Sequence, residues 1–264
     1  MPDGASPGDA LAAAAVTIAA QLAISTGPLH AEGRAWLKRQ TSLPPQPSLY
    51  VCDLMYMAWR DARRLSDASA AVDCFRKILA REPDNADALA ASAGMEAWQV
   101  MYEARPNDDL VKAMMEQTTA AARAVTLLPK SSFVYEQQGL VLARQGSLDA
   151  AVGALNKAVE LNPASMDART TDGTITWLNG DFDTGNRLSE QALAAIPTPA
   201  PYFYLTRAFN ALRERRFFDA IDAGQSLAAG DDEAGPAIVL ASAPQAARLD
   251  LIDRYRPLMM NNPQ

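Results

Sequence analysis

Two apolar segments separated by a short polar turn make up SSFVYEQQGLVLARQGSLDAAVGALNKAVELNP, residues 131–163. Small residues fall at Gly139 in the first segment and at Ala151 and Ala158 in the second. In the turn QGSLD, Gly146 is suited to stop one helix, and the serine after it is suited to cap the next. The pattern therefore predicts two antiparallel helices joined by a tight turn and closed by a proline.

Prolines recur at a fixed interval after such helical segments. They stand at Pro83, Pro129, Pro163 and Pro197; the last two intervals are 34 residues each and the first is 46. The turn NGDFD, with Gly180 and Asp181, repeats the chemistry of QGSLD, and LSDAS offers Ser66 or Asp67 as a cap. The sequence thus predicts one helix-turn-helix unit repeated along the chain, with 12 extra residues in the second unit.

The small residues have a structural role in this interpretation. Glycine or alanine at facing positions lets two helix backbones approach to about 8–10 Å, where a larger side chain would hold them apart. Trp59 stands where the repeat prefers glycine, so we expect the first helix pair to be spaced more widely.

A 34-residue period of paired helices resembles the tetratricopeptide repeat (TPR), which places aromatic, small and proline residues at set offsets. The resemblance implies an all-α, right-handed TPR-like superhelix of about five helix pairs. It divides the chain into a helical cap and proline-rich linker, residues 1–47, and a repeat domain, residues 48–264. The predicted units are 52–85, 86–131 (extended), 132–165, 166–200, 201–234 and a partial 235–260. The unit that matches the repeat best carries Tyr135, Gly139, Leu142, Ala151, Leu155, Ala158 and Pro163.

The extra residues of the second unit surround MYEARPNDDLVKAMM. The simplest account lengthens both helices of that unit, to residues 86–104 and 108–127, with a turn at Pro106, Asn107 and Asp108. The lengthened pair marks either a docking edge or only a longer hairpin.

The apolar stretch LAAAAVTIAAQLAIS near the start resembles a signal-peptide core only superficially. No positive charge precedes Arg34, and about 15 residues are fewer than the roughly 20 that cross a bilayer. We expect an alanine-rich helix that begins between Pro7 and Asp9 and ends before Gly27, and no direct membrane insertion by this chain. The segment QTSLPPQPSLY should then separate the first helices from the repeats.

The net charge, the cysteines and the catalytic motifs limit the classes of function that we expect. Of 264 residues, 24 are Lys or Arg and 31 are Asp or Glu, so the net charge is −7 and nucleic acid is a poor candidate partner. Cys52 and Cys74 are too few for a disulfide framework and lack a zinc-like cluster, so we expect buried free thiols. The only histidine, His30, is expected in an exposed turn. No phosphate loop, nucleophile elbow or HExxH is present, so we expect no catalytic residues, metal or cofactor, and no enzyme.

The first helix of each TPR unit lines the concave face, and there the resemblance implies a groove rich in aromatic residues and arginine. Such residues are typical of interface centres. We therefore expect a protein-interaction module that binds a peptide or protein in this groove, for assembly or signal regulation. The alternative is a sensor that binds a small molecule or saccharide there and regulates an output domain. The candidate binding residues are Tyr56, Arg60, Arg63, Trp98, Phe133, Glu136, Arg144, Trp177, Tyr202, Phe209 and Arg213.

More loosely, the chain resembles the carboxy-terminal TPR halves of bacterial multidomain regulators of the adenylate cyclase or winged-helix type. The segments that carry this likeness are IAAQLAISTGPLHAEGRAWLKR, the first repeat, and RYRPLMMNNPQ. It implies a possible N-terminal output domain in a longer parent protein. We expect a cytoplasmic location, or a periplasmic one if the chain follows a membrane segment in such a parent.

Overall fold

Every regular element in the described part of the chain is helical. A computed structural model describes residues 7–100, 107–230 and 233–260. The α-helices are α1 Pro7–Ala23, α2 Pro28–Arg39, α3 Leu49–Ala62, α4 Leu65–Leu79, α5 Ala86–Gln99, α6 Asn107–Leu127, α7 Ser132–Arg144, α8 Leu148–Leu161, α9 Met166–Leu178, α10 Phe182–Ala194, α11 Leu205–Arg213, α12 Phe217–Leu227, α13 Ala234–Ser242 and α14 Leu249–Met260; a 3-10 helix, Pro201–Tyr204, precedes α11.

Successive helices pack as pairs from α3–α4 to α13–α14, and neighbouring pairs pack on each other, which makes the chain an all-α solenoid. The first helix of four units begins at a polar cap that the sequence supplies. The side chains of Ser48, Asn85, Ser131 and Ser165 each accept a hydrogen bond from the backbone N–H three residues later, at 3.1–3.4 Å. Each cap satisfies a donor that the start of a helix would otherwise leave unpaired.

In the described turns inside the pairs of units one, three, four and five, one residue is left-handed. Gly146 and Gly180 have φ of +79° and +100°, as the turn chemistry predicted. Arg63 and Arg215 also have positive φ in their own units, although a side chain makes that conformation less favourable than it is for glycine. The predicted cap within LSDAS is wrong: α4 begins at Leu65 and the residues of that motif lie in its first turn.

The small residues lie where helix backbones meet, as predicted. A Cβ atom added to Gly139 would stand 2.6 Å from Cγ of Leu155, and one added to Gly173 would stand 2.8 Å from the carbonyl oxygen of Gly185. Ala208 of the fifth unit is fully buried. These contacts fix the close approach of α7 to α8 and of α9 to α10.

Within the described residues of the second unit, α6 is longer than its counterparts. α6 has 21 residues, whereas α8 and α10 have 14 and 13. α5 spans Ala86–Gln99, 14 residues, and residues 101–104 of the predicted extension lie outside the described residues. α5 packs between α4 and α7, which have 15 and 13 residues, and is as short as they are. Asn107 belongs to α6 rather than to a turn, and Pro106 lies outside the described residues.

The two cysteines form a disulfide, so the expectation of free thiols is wrong. Cys52 of α3 and Cys74 of α4 are both buried, with Cα atoms 5.4 Å apart. Antiparallel packing of the first pair brings together two positions that are 22 residues apart in sequence. The bond ties the two helices of the first unit to each other.

The N-terminal helices contact two regions of the solenoid that are far apart from each other in sequence. Gly33 of α2 packs against Leu54 of α3, while Ala20 and Ile24 pack against a cluster from α9, α10 and the 3-10 helix.

Within the described residues, one helical stretch, Leu11–Arg39, is long and apolar enough by composition to cross a membrane. Signal sequences and buried core helices share that property. The stretch is interrupted between Ala23 and Pro28, where α1 ends and α2 begins.

Candidate functional site

Arg60 of α3 lies at the centre of the concave face. Its Nη2 donates to Oε1 of Glu136 on α7, 2.5 Å away, and lies 3.0 Å from the hydroxyl of Thr171 on α9. Its Nε lies 3.7 Å from a carboxylate oxygen of Asp167. Arg60 and Glu136 are only 5% and 2% exposed. The first unit thus contacts the third and fourth units directly across the groove of the concave face, which we call the channel.

Tyr56 extends this network one helical turn earlier on α3. Its hydroxyl accepts hydrogen bonds from Nη1 of Arg60 at 3.2 Å and from Nε2 of Gln137 at 2.7 Å. Burial raises the pKa of Tyr56 to about 12, so the phenol stays neutral. Burial alone would lower the pKa of Arg60, but Glu136 and the other neighbours raise it well above its usual value. The guanidinium is therefore a permanent buried cation.

Tyr202 closes the network from the fifth unit. Its hydroxyl donates to Oδ1 of Asp167, and its ring lies under the guanidinium of Arg60, with 5.0 Å between the ring centroid and Cζ. Arg63 stacks on the same ring at 5.4 Å and on Trp59 at 4.8 Å. Burial raises the pKa of Tyr202 well above its usual value. Side chains from units one, three, four and five thus meet at one point.

These bonded residues form a wall across the channel, which we call the partition: Tyr56, Arg60, Glu136, Asp167, Thr171 and Tyr202. A cavity lies on each side of it. Arg60 and Glu136 line one cavity, and Thr171 and Tyr202 line the other. The concave face is therefore divided into two chambers, and a partner chain has no straight path through the whole groove.

The acidic chamber, about 360 Å³, lies at the amino-terminal ends of α5, α7 and α9. Four carboxylates line it with only one cation, Arg60. Burial, and then the charge of Asp87, raise the pKa of Asp53 to about 7. Burial also raises the pKa of Asp87. Its lining residues are Ala23, Ser25, Asp53, Tyr56, Met57, Arg60, Asp87, Ser132, Phe133, Glu136, Asn162, Ser165 and Asp167.

The apolar chamber, about 390 Å³, lies toward the carboxy-terminal ends of the same helices. Among the described residues that line it, Arg63 and Arg144 are the charged ones, and none of the described lining side chains is a carboxylate. Leu178 on its wall is 49% exposed, so apolar surface there meets solvent. The lining residues are Arg63, Trp98, Leu140, Ala143, Arg144, Leu148, Thr170, Thr171, Thr174, Ile175, Leu178, Tyr202, Leu205, Phe209 and Ala234.

An aromatic cluster continues the wall of the apolar chamber. Trp177 stacks on Phe209, with ring centroids 5.9 Å apart, and its indole N–H donates to Oδ1 of Asn210 at 3.1 Å. Arg213 also donates to Asn210 and lies over the ring of Phe182, 4.4 Å from its centroid. The cluster joins α9, α10 and α11 beside the chamber.

The structure sorts the eleven candidate residues into three groups. Tyr56, Arg60, Glu136 and Tyr202 lie in the partition, where their polar groups bond to other partition residues, and Phe133 lies beside it in the acidic chamber. The other six lie in or next to the apolar chamber: Arg63, Trp98, Arg144, Trp177, Phe209 and Arg213. Trp98 is nearly buried against Trp59, with ring centroids 5.3 Å apart.

Thr171 of the partition, and Gln137, which donates a hydrogen bond to Tyr56, were not singled out from the sequence. Thr171 and Gln137 each follow directly after an inward position of their helix, Thr170 and Glu136. Their hydrogen bonds to Arg60 and Tyr56 depend on how far α7 and α9 turn around their axes. The repeat pattern contains no signal for that rotation.

His30 lies in the first turn of α2 rather than in a loop, and its Nδ1 is 3.4 Å from the hydroxyl of Tyr50. No group of three or more His, Cys, Asp or Glu side chains in the described part of the chain is arranged to hold a metal ion.

No protein-family model and no curated protein sequence matches the chain. Several solved structures, by contrast, are similar to it. Human IFIT1, solved as a dimer with m7Gppp-AAAA, superposes with a TM-score of 0.64 at 14% identity over 79% of this chain and 48% of that one. The chain thus spans about half the length of IFIT1. TTC0263, a TPR protein of Thermus thermophilus, gives 0.52 at 20% identity over 79% and 97% of the two chains.

PilW, described as a widely conserved type IV pilus biogenesis factor, gives a TM-score of 0.54 at 14% identity over 81% of this chain and 94% of that one. At these identities the likeness concerns the backbone architecture. Paired helices, glycine contacts between them and a concave face built from the first helix of each unit agree with it. The chain therefore has a TPR-like fold, an all-α solenoid.

Proposed function

We propose that the chain is a non-enzymatic protein-interaction module that binds a segment of a partner protein in the apolar chamber. The observation that carries the proposal is the chamber itself, a cavity of about 390 Å³ in the concave face with apolar walls open to solvent. Solenoid repeats commonly bind partners on their concave surface, and a cavity of a few hundred Å³ has the usual size of a binding pocket.

The partition supports the choice of the apolar chamber as the binding site. Tyr56, Arg60 and Glu136 are buried and bonded within the chain, so a partner gains little from their polar groups. Leu178 and Phe209 in the apolar chamber keep exposed apolar surface that a partner would bury. At about 25 cal/mol per Å², that burial is the main source of affinity available in the channel.

A selection from a displayed library of random 12-residue peptides, with the purified chain as target, tests the proposal. Leu178→Glu places a charge on the chamber wall at an exposed position, so the fold should tolerate it. Phe218→Glu is the matched control, because Phe218 is 63% exposed on α12 and lies outside the chamber. We expect the selected peptides to bind the chain and the Phe218 variant but not the Leu178 variant.

Peptides that bind both variants equally would contradict the assignment to the apolar chamber.

The second candidate function is a sensor for a small molecule or saccharide. The chamber is a cavity rather than a flat surface, and that shape favours a small ligand. Thermal-shift screening with metabolite and saccharide libraries tests that function. Because IFIT1 was solved with PPP-AAAA, that RNA is included as a probe, and the net charge of −7 leads us to expect no binding.

A further inference from the structure

α1 carries bulky apolar side chains on the side that faces away from the solenoid. Leu11, Ile18 and Leu22, which we call the outer face of α1, are 73%, 57% and 40% exposed. Ala20 of α1 and Ile24 just after it are buried against the solenoid. At about 100° per residue, the three outer residues lie within about 40° of one another, and Ala20 lies about 160–180° from them. Both sides of α1 are therefore apolar, and the described residues cover only one of them.

The sequence around the outer face carries no formal charge. Residues 10–31, between Asp9 and Glu32, include no Asp, Glu, Lys or Arg, although 21% of the whole chain is charged. A helix on the surface of a water-soluble domain normally turns a polar side to the solvent, and a helix that is apolar all round is covered by protein or by lipid. The outer face thus has the character of an interaction surface.

We propose that the outer face of α1 lies in the surface of a lipid bilayer, with Leu11, Ile18 and Leu22 among the acyl chains just below the headgroups. α1 has 17 residues, about 25 Å of helix, which is shorter than the roughly 30 Å hydrocarbon core, so it lies along the bilayer and does not cross it. The proposal replaces our expectation of no direct membrane insertion with the insertion of one helix face.

The carboxy-terminal end of α1 is fixed to the solenoid, so the outer face has a defined direction. The side-chain amide of Gln21 donates to the carbonyl oxygen of Ala195 at 3.4 Å, and the hydroxyl of Thr26 donates to that of Thr198 at 3.3 Å. A bilayer bound to the outer face would therefore lie on the opposite side of α1 from the solenoid.

A second copy of the chain fits the outer face less well than a bilayer does. Two α1 helices in contact along their length, each with a strip about 10 Å wide, would bury about 500 Å² in total. A stable protein interface buries about 1,000 Å² or more. A bilayer covers the same face without needing a complementary shape, and its acyl chains do not require a polar partner for the uncharged segment.

The charge of α2 fits an anionic bilayer. Lys38 and Arg39 are exposed in the last turn of α2, which packs on α1, and Glu32 is the one acidic residue of that helix. Each basic residue near an anionic surface strengthens binding about fivefold, and the pair offsets locally the net charge of −7. An apolar face together with basic residues supplies the two signals that stable attachment to a bilayer surface needs.

Co-sedimentation of the full chain with vesicles of phosphatidylcholine and phosphatidylglycerol, 7:3, tests the proposal. Ile18→Glu puts a charge on the outer face at an exposed position, so its thermal unfolding should match that of the full chain while its binding to vesicles falls at least tenfold. Phe218→Glu is the matched control, because Phe218 is an exposed apolar residue on α12, and this variant should bind vesicles like the full chain.

Lys38→Gln and Arg39→Gln test the role of charge. Each should weaken binding to the anionic vesicles about fivefold and leave binding to vesicles of phosphatidylcholine alone unchanged. Equal binding of the full chain to both kinds of vesicle would overturn the assignment of an anionic lipid.

Failure of the full chain to sediment with vesicles, or binding that Ile18→Glu leaves intact, would overturn the proposal. Analytical ultracentrifugation without lipid tests for a second copy: a dimer that Ile18→Glu dissociates, together with no binding to vesicles, would assign the outer face to self-association instead. Either outcome leaves the proposed function intact, because none of the described residues that line the apolar chamber belongs to α1.

Discussion

Arg60 and Glu136 form a buried ion pair between the first and third repeat units, with 2.5 Å between Nη2 and Oε1. The pair spans the channel of the solenoid and lies at the centre of the partition. A buried cation that loses its anion has no water to replace it. This contact therefore couples the stability of the fold to the division of the channel into two chambers.

Glu136→Ala should lower the free energy of unfolding by about 3 kcal/mol, because it leaves Arg60 buried with an incomplete set of partners. The double variant Arg60→Met, Glu136→Leu should lose much less, since apolar residues of similar size can replace a buried pair. Urea denaturation measures both. Lys157→Ala removes an exposed pair with Glu160 and should leave the midpoint unchanged. Equal losses in the Glu136 and Lys157 variants would contradict the role of the partition.

Asp53 should make the protein less stable as the pH rises from about 4 to 7. Its pKa is raised from 3.8 to about 7 by burial and by Asp87, so the folded state binds a proton that the unfolded state has lost. The stability that this proton provides is complete below pH 4, and it is gone above pH 7. Asp53→Asn should therefore stabilise the chain at pH 8 by about 1–3 kcal/mol and change little at pH 4.

Thermal unfolding of both proteins across this pH range measures the difference. Asp87→Asn removes the neighbouring charge and should shift the pH-dependent window of the remaining Asp53 toward lower pH. Parallel stability curves for the chain and Asp53→Asn would show that Asp53 titrates normally.

Reduction of the Cys52–Cys74 disulfide should lower the free energy of unfolding by about 3 kcal/mol. The bond closes a loop of 22 residues, and the entropy it removes from the unfolded chain has about that size. Urea denaturation with and without dithiothreitol measures the loss, and Cys52→Ala, Cys74→Ala should match the reduced protein. Both sulfurs are buried, so thiol reagents should label the reduced protein only slowly before it unfolds.

Gly173→Ala should destabilise the fourth unit by about 1–3 kcal/mol. The added Cβ would stand 2.3 Å from the hydroxyl of Ser189 and 2.8 Å from the backbone of Gly185, so two helices would have to separate. Gly153→Ala is the matched control, because nothing lies within 4 Å of the added atom there. That variant should gain about 0.5–1 kcal/mol from its better helix propensity. Equal effects at the two sites would contradict the close packing of α9 on α10.

The amino-acid sequence by itself determined the helix pairs, their turns and the small residues between them. These features depend on local chemistry: serine and asparagine caps, glycine at positive φ, and a side-chain size that recurs with the repeat. The inward positions also follow from the repeat, and so the six candidate residues in or next to the apolar chamber could be named before any coordinates.

The tertiary structure decided what those inward residues do. Whether Arg60 faces a partner or Glu136 depends on how tightly the superhelix curves, and that is the sum of small rotations between successive units. The disulfide depends on the register of α3 against α4. Each of these outcomes is a relation between separate helices, which a local pattern of residues does not encode.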